Sequence, residues 1–229
     1  MTTPLLDDTS VHVVEDRLAA LLQAERLGSL PPEGKAEITR IMRTLAGRSG
    51  PVRMLLMAGL PGSGKTTLAR SLEAQGFLRL CPDEQVWRVH GHYGRDFPRG
   101  EYRVREQPIL NEIAAELRVA LAAGRDVVID HGFWTVDERE EWRQIGEQAG
   151  AVVTLLYLPA DLDVLWDRVK ERNQQTFDDP NAMWFSENDL QRHSNRFEAP
   201  AADEEHLIYD GHPTTVISAL GYDTPESER

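Results

Sequence analysis

Up to residue 50, apolar side chains recur at helical spacing twice, first at Val11, Val14, Leu18, Leu21 and Leu22, then at Ile38, Ile41, Met42 and Leu45. Two amphipathic helices are predicted. Gly28-Ser-Leu-Pro-Pro separates them, because proline lacks an N–H and restricts the residue before it. Residues 1–50 are therefore expected to form a helical hairpin appended to the rest of the chain. From Gly50-Pro51 onward the rhythm becomes short apolar runs, each followed by a helical stretch: 53–58, 77–80, 126–130, 151–158 and 206–209. Val, Leu and Ile runs without alternation suit strands covered on both faces, and helices such as 104–123 and 136–149 supply the crossovers. The pattern predicts an α/β domain over residues 51–229 with a parallel, doubly wound sheet of five strands. Residues 173–185, rich in Gln, Asp and Asn around Pro180, read as a mobile loop.

Composition narrows the class without changing this picture. The chain has 229 residues, 41% of them hydrophobic and 28% charged, which is the balance of an ordinary globular protein. Its apolar runs are far shorter than the roughly 18 residues needed to cross a bilayer, so no membrane span is expected. Acidic residues in the first 17 positions, where a secretory leader needs a basic start and an apolar stretch, point to the cytoplasm. The single cysteine, Cys81, cannot form an internal disulfide and agrees with a reducing compartment. A net charge of −13 disfavours a sequence-independent grip on nucleic acid, which needs clustered Lys and Arg.

The most specific chemistry lies just after the first strand. Residues 59–66, Gly-Leu-Pro-Gly-Ser-Gly-Lys-Thr, match G-x-x-x-x-G-K-[ST], the Walker A phosphate-binding loop, between an apolar strand and a helix. Gly59, Gly62 and Gly64 allow successive N–H groups to turn toward phosphate oxygens. Pro61, Ser63 and Thr67 complete the loop, Lys65 adds a point charge, and the Thr66 hydroxyl can ligate magnesium. The loop predicts a nucleoside triphosphate site.

Further candidates lie at the ends of later strands, where ligands collect in open α/β sheets. Asp83, after the second strand, is placed to accept the proton of an attacking hydroxyl; its competing role is to cap a helix over 84–89. Glu84 reads as a first-turn helix acid. Asp130 ends an apolar run and can hold magnesium directly or through water, or serve as a turn residue ahead of Gly132. His131 and Trp134 would then stand beside the acceptor, unless they are structural and packing residues. Arg168 and Arg172, four apart on one helix face, can reach the triphosphate when the adjoining loop closes, or form a solvated stripe with nearby acids. Ser186 to Asp189 reads as a capping box that opens a helix carrying Arg192 and Arg196, which are weaker candidates.

Taken together, Gly59 to Ala69, Asp83, Val-Val-Ile-Asp130 with its neighbouring aromatics, Tyr157-Leu-Pro, the Arg-x-x-x-Arg-Asn ending at Asn173, and Arg196-Phe-Glu-Ala-Pro resemble the small P-loop kinases. The pattern is similar to the group containing the polynucleotide kinase domain and zeta-toxin-like kinases. The resemblance covers about 52–209 and implies a P-loop NTPase three-layer sandwich of strand order 2-3-1-4-5 with a lid near 173–187. It further implies ATP with Mg²⁺, Asp83 as the acceptor-activating acid, and Arg172 with Arg168 as lid-side arginines. No guanine-specific Asn/Thr-Lys-x-Asp motif stands at a strand end.

Three functions fit these residues. The leading one is transfer of the γ-phosphoryl group of ATP to a hydroxyl of a small molecule. A polynucleotide 5′-hydroxyl kinase would need a basic path for the strand. An ATP-dependent switch with a protein partner on the N-terminal hairpin would need no acceptor pocket.

Overall fold

The computed structural model describes residues 8–31, 34, 37, 38, 41, 51–174 and 183–222. The first helix, α1 (Asp8–Arg26), carries the first predicted arm of the hairpin. The second arm lies largely outside the described residues, yet Ile38 and Ile41 are buried against Leu21, with Leu18 and Leu30 alongside. Arg17 and Glu37 join the two arms through a bidentate ion pair at 2.9 Å.

Beyond residue 51 the elements run β1 (Arg53–Ala58), α2 (Lys65–Ala74), β2 (Leu78–Leu80), α3 (Pro82–His90), a 3₁₀ turn (Arg99–Glu101), α4 (Tyr102–Ala122) and β3 (Val127–Gly132). They continue with α5 (Val136–Gln148), β4 (Val152–Tyr157), α6 (Leu162–Asn173), α7 (Glu187–Ser194), β5 (His206–Ile208) and α8 (Pro213–Ala219). The sheet order is β2-β3-β1-β4-β5, with every pairing parallel, as the motif resemblance implies. No helix among the described residues is long and apolar enough to cross a membrane.

Met54 to Ala58 of β1 are fully buried because the sheet is covered on both faces. Alternation sorts them: Met54, Leu56 and Ala58 join Ile109, Ile113 and Leu117 of α4 on one side. Leu55 and Met57 join Leu68 and Leu72 of α2, with Val216 and Ile217 of α8, on the other. A third cluster sits above the end of β1, where Leu60 meets Leu165 of α6 and Leu190 of α7.

Two irregular features shape the carboxyl ends of the strands and the segments that cover them. The register between β1 and β3 runs Met54 to Val127 and Leu55 to Val128, then jumps so that Met57 faces Gly132. This bulge spans the stretch of β3 that carries Asp130 and His131. Farther along, Arg139 of α5 is fully buried and donates to both carboxylate oxygens of Glu204 at 2.7 Å and to the carbonyl of Glu198 at 2.9 Å. That pairing pins the segment after α7 against α5. Of the expected lid, residues 175–182 lie outside the described residues; the flanks are the end of α6 and the approach to α7.

Candidate active site

The phosphate loop leaves β1 and enters α2 through Gly64, which caps the helix at φ 97°. Gly62, at φ 85°, lies so close under α6 that a Cβ there would sit 3.0 Å from the carbonyl of Leu165 and 3.2 Å from Val169. The Lys65 ammonium donates to the carbonyls of Gly59 and Leu60, both at 2.9 Å, and burial pushes its pKa down to about 8. Removing an ammonium from water disfavours its charged form, so bound phosphates would strengthen the charge on Lys65. Ser63 is buried, and its hydroxyl has no hydrogen-bond partner in the described structure.

Thr66 donates its hydroxyl to Oδ1 of Asp130 at 3.2 Å. The other oxygen of Asp130 accepts from Arg79 twice, at 2.9 and 2.7 Å, and Arg79 also donates to Glu84 at 2.8 Å. Burial pushes the Asp130 carboxyl pKa up, and Arg79 opposes that shift. Thr66 and Asp130 thus present adjacent hard oxygen donors beside the phosphate loop, a donor set that suits magnesium.

Asp83 occupies the second position of α3, not its cap: Cys81 caps the helix in an extended conformation and Pro82 opens it. The competing capping role is therefore not the one realised. Its carboxylate instead accepts a hydrogen bond from the Tyr102 hydroxyl. Burial raises the Asp83 pKa, while that hydrogen bond and the charges of Lys65 and Arg172 restrain it. Glu84, expected as a first-turn acid, is one.

Asp83 and the phosphate loop line one cavity of about 1030 Å³, together with Asp130, His131, Trp134, Arg168 and Arg172. Arg168 donates to the carbonyl of Gly62 at 3.2 Å, and Arg172 to the carbonyl of Met183 at 2.9 Å, across the base of the expected lid. Beyond Asp83 the cavity continues along α4. There burial, reinforced by the nearby Asp83 charge, lifts the Glu106 pKa to about 8. The His131 ring stands with Nδ1 3.9 Å from Glu106, and burial holds it neutral with a pKa near 4.

A family model described as an AAA domain matches residues 54–200. The chain belongs to that AAA domain family. It is 31% identical over 129 residues to the UPF0200 protein PAE1629 of Pyrobaculum aerophilum, an alignment spanning 56% of this chain and 70% of that protein. It is 30% identical over 132 residues to a shikimate kinase of Rhizobium leguminosarum bv. trifolii, spanning 54% of this chain and 59% of that one. Among solved structures, a sugar kinase from Janibacter sp. matches with a TM-score of 0.53 at 22% identity, over 75% of this chain and 94% of that one. That likeness concerns the fold, and the small P-loop kinase architecture expected from the motifs is the one found.

In this AAA domain, every site residue expected from sequence lines the cavity except Gly59, whose carbonyl holds Lys65 at its edge. Arg196 also lines it, its guanidinium 6.0 Å from the Trp134 ring, whereas Arg192 pairs with Asp189 in the capping box of α7. Sequence reasoning missed Arg79, Tyr102 and Glu106. A signal existed for Arg79, a charge at the centre of a short apolar strand with only 7% of its side chain exposed. Tyr102 and Glu106 carried none, since both sit in the first turns of a long helix where polar residues are ordinary.

Proposed function

We propose that this AAA domain transfers the γ-phosphoryl group of ATP to a hydroxyl of a small molecule with Mg²⁺ as cofactor, in the cytoplasm. The observation that carries the reading is Asp83, a half-buried carboxylate hydrogen-bonded by Tyr102, in the same cavity as Lys65. Phosphoryl transfer demands placement and charge neutralisation more than covalent chemistry. The loop amides and Lys65 would hold the β- and γ-phosphates. Asp83 would align the acceptor hydroxyl and take its proton as the new P–O bond forms and the bond to the β-phosphate oxygen breaks. Arg168 and Arg172 would neutralise charge on the transferring group.

Thr66 and Asp130 would hold the magnesium ion, which neutralises negative charge on the phosphates when bound. Arg79 keeps Asp130 oriented with one oxygen toward Thr66. Room beyond Asp83 favours transfer over a simple nucleotide switch, which needs no acceptor pocket. The relative described as a shikimate kinase supports the same reaction class. Incubation with labelled ATP, magnesium and a panel of sugars, polyols, nucleosides, hydroxy acids and amino alcohols tests the reading. Transfer that is lost in Asp83→Asn is expected. No transfer to any acceptor, with ATP hydrolysis unaffected by Asp83→Asn, would overturn it.

A further inference from the structure

The far half of the cavity has a distinctive composition. Its walls carry Tyr93, Tyr102, Trp134, Phe185 and His193. Tyr93 meets Tyr102 edge-on at 5.4 Å and Phe185 at 6.2 Å, Phe185 meets His193 at 5.4 Å, and His193 meets Trp134 at 4.5 Å. Between these rings and the phosphate loop, Asp83, Glu106 and His131 bring one polar atom each to within 4.8 Å of one another. Among the described residues, Glu106 makes no ion pair with an arginine or lysine; the ring nitrogen of His131 approaches it at 3.9 Å.

Two of the lining arginines have other partners. Arg99 lies 4.4 Å over the Trp184 ring and 3.7 Å from Asp189, and Arg103 is 3.8 Å from Glu138. An anionic acceptor reaching Asp83 would therefore meet a second carboxylate at Glu106. A neutral polyol would leave Glu106 with only the more distant charge of Arg103 against it. A cation would meet a carboxylate and a wall of aromatic rings of which Tyr93, Phe185 and Trp134 already face the guanidinium groups of Arg99, Arg172 and Arg196 at 5.8, 5.9 and 6.0 Å, so these rings stand where cations are accepted.

From this geometry we infer that the acceptor is a hydroxylated amine, an amino alcohol or amino sugar, with its hydroxyl at Asp83 and its ammonium group at Glu106 within the aromatic wall. The inference rests on the kinase reading above and deepens it. Protonated Glu106 would release its proton when the ammonium arrives, since a positive neighbour favours the ionised carboxylate.

Transfer from labelled ATP to amino alcohols and amino sugars, compared with deaminated polyols and hydroxy acids of the same carbon skeleton, tests the assignment. The amines are expected to show kcat/KM at least about tenfold higher. Glu106→Gln should erase that preference to within about twofold, and Phe185→Leu on the facing wall should reduce it about threefold. Calorimetry with the ATP-loaded protein measures amine binding separately from transfer. Equal or greater transfer to polyols or hydroxy acids overturns the inference and leaves the kinase reading standing. One amine bound per chain without transfer supports the amine site and overturns the kinase reading. Neither binding nor transfer overturns both. One equivalent of Zn²⁺ bound by the full chain and lost in Glu106→Gln, with no preference for amines, would reassign the cluster to a metal and overturn the inference.

Discussion

The two ends of the cavity are built by different means. At the phosphate end the backbone does the work: a contiguous loop turned by Gly62 and Gly64 at positive φ, with Lys65 folded back on the loop's own carbonyls. At the acceptor end side chains do it, and they arrive from α3, the start of α4, the end of β3 and the approach to α7. A backbone site is specified by chain geometry and recognises one chemical group, phosphate, in any nucleotide. A side-chain site can be rewritten one residue at a time. The contrast explains how one loop can serve many acceptors.

Substitutions can break this contrast, and the largest effect is expected at the shared centre. Lys65→Ala should lower kcat/KM about 10⁴-fold, in the range of cations that neutralise phosphoryl transfer, and should raise the Kd for ATP in equilibrium binding. Asp83→Asn should lower kcat about 10³-fold while ATP affinity, read by the same titration, stays the same, because the two ends separate there. Arg172→Ala should lower kcat about 10²-fold and weaken ATP binding less, as steady-state kinetics beside direct binding would reveal. An equal loss of both would assign Arg172 to ground-state binding. Trp134→Ala should raise the acceptor KM about tenfold and leave the ATP KM within about twofold.

The smallest effect sharpens the comparison through stability. The Glu106 pKa lies near 8, above its ordinary 4.5, so between those values the folded chain holds a proton that the unfolded chain has released. Stability from this group is complete below about pH 4.5 and is lost as pH rises through about 8. Melts between about pH 5 and 8.5 should show Tm falling by a few degrees in the native sequence, with a shallower fall in Glu106→Gln.

The phosphate end was legible because its residues are contiguous and its chemistry demands a fixed spacing. So were the five strands, whose buried runs left alternation-free apolar segments; predicted ends overran by one residue where the ladder stops but burial does not, as at Phe77 and Tyr209, while β3 runs on to Gly132, two residues past its predicted end. The acceptor end was legible only at strand and helix junctions, at Asp83, His131 and Trp134. Glu106 escaped because its position in α4 gives it the same sequence context as any solvated helix acid, and the packing of α4 against α3 and β3 is what encloses it. The charge of Arg79 inside an apolar strand was a signal of burial, but not of its partner, since Asp130 is 51 positions away and no local spacing encodes that pairing.

The bulge that lets Met57 face Gly132 has one more consequence. Within a strand, side chains alternate between faces, and the surplus of residues on β3 is even, so alternation resumes in phase after it. Asp130 is thereby turned toward Thr66 and its neighbour His131 toward Glu106. Loss or gain of a single residue there would exchange the two and present imidazole to Thr66 and carboxylate to Glu106. A scan of single-residue deletions should therefore find this strand end among the least forgiving places in the gene.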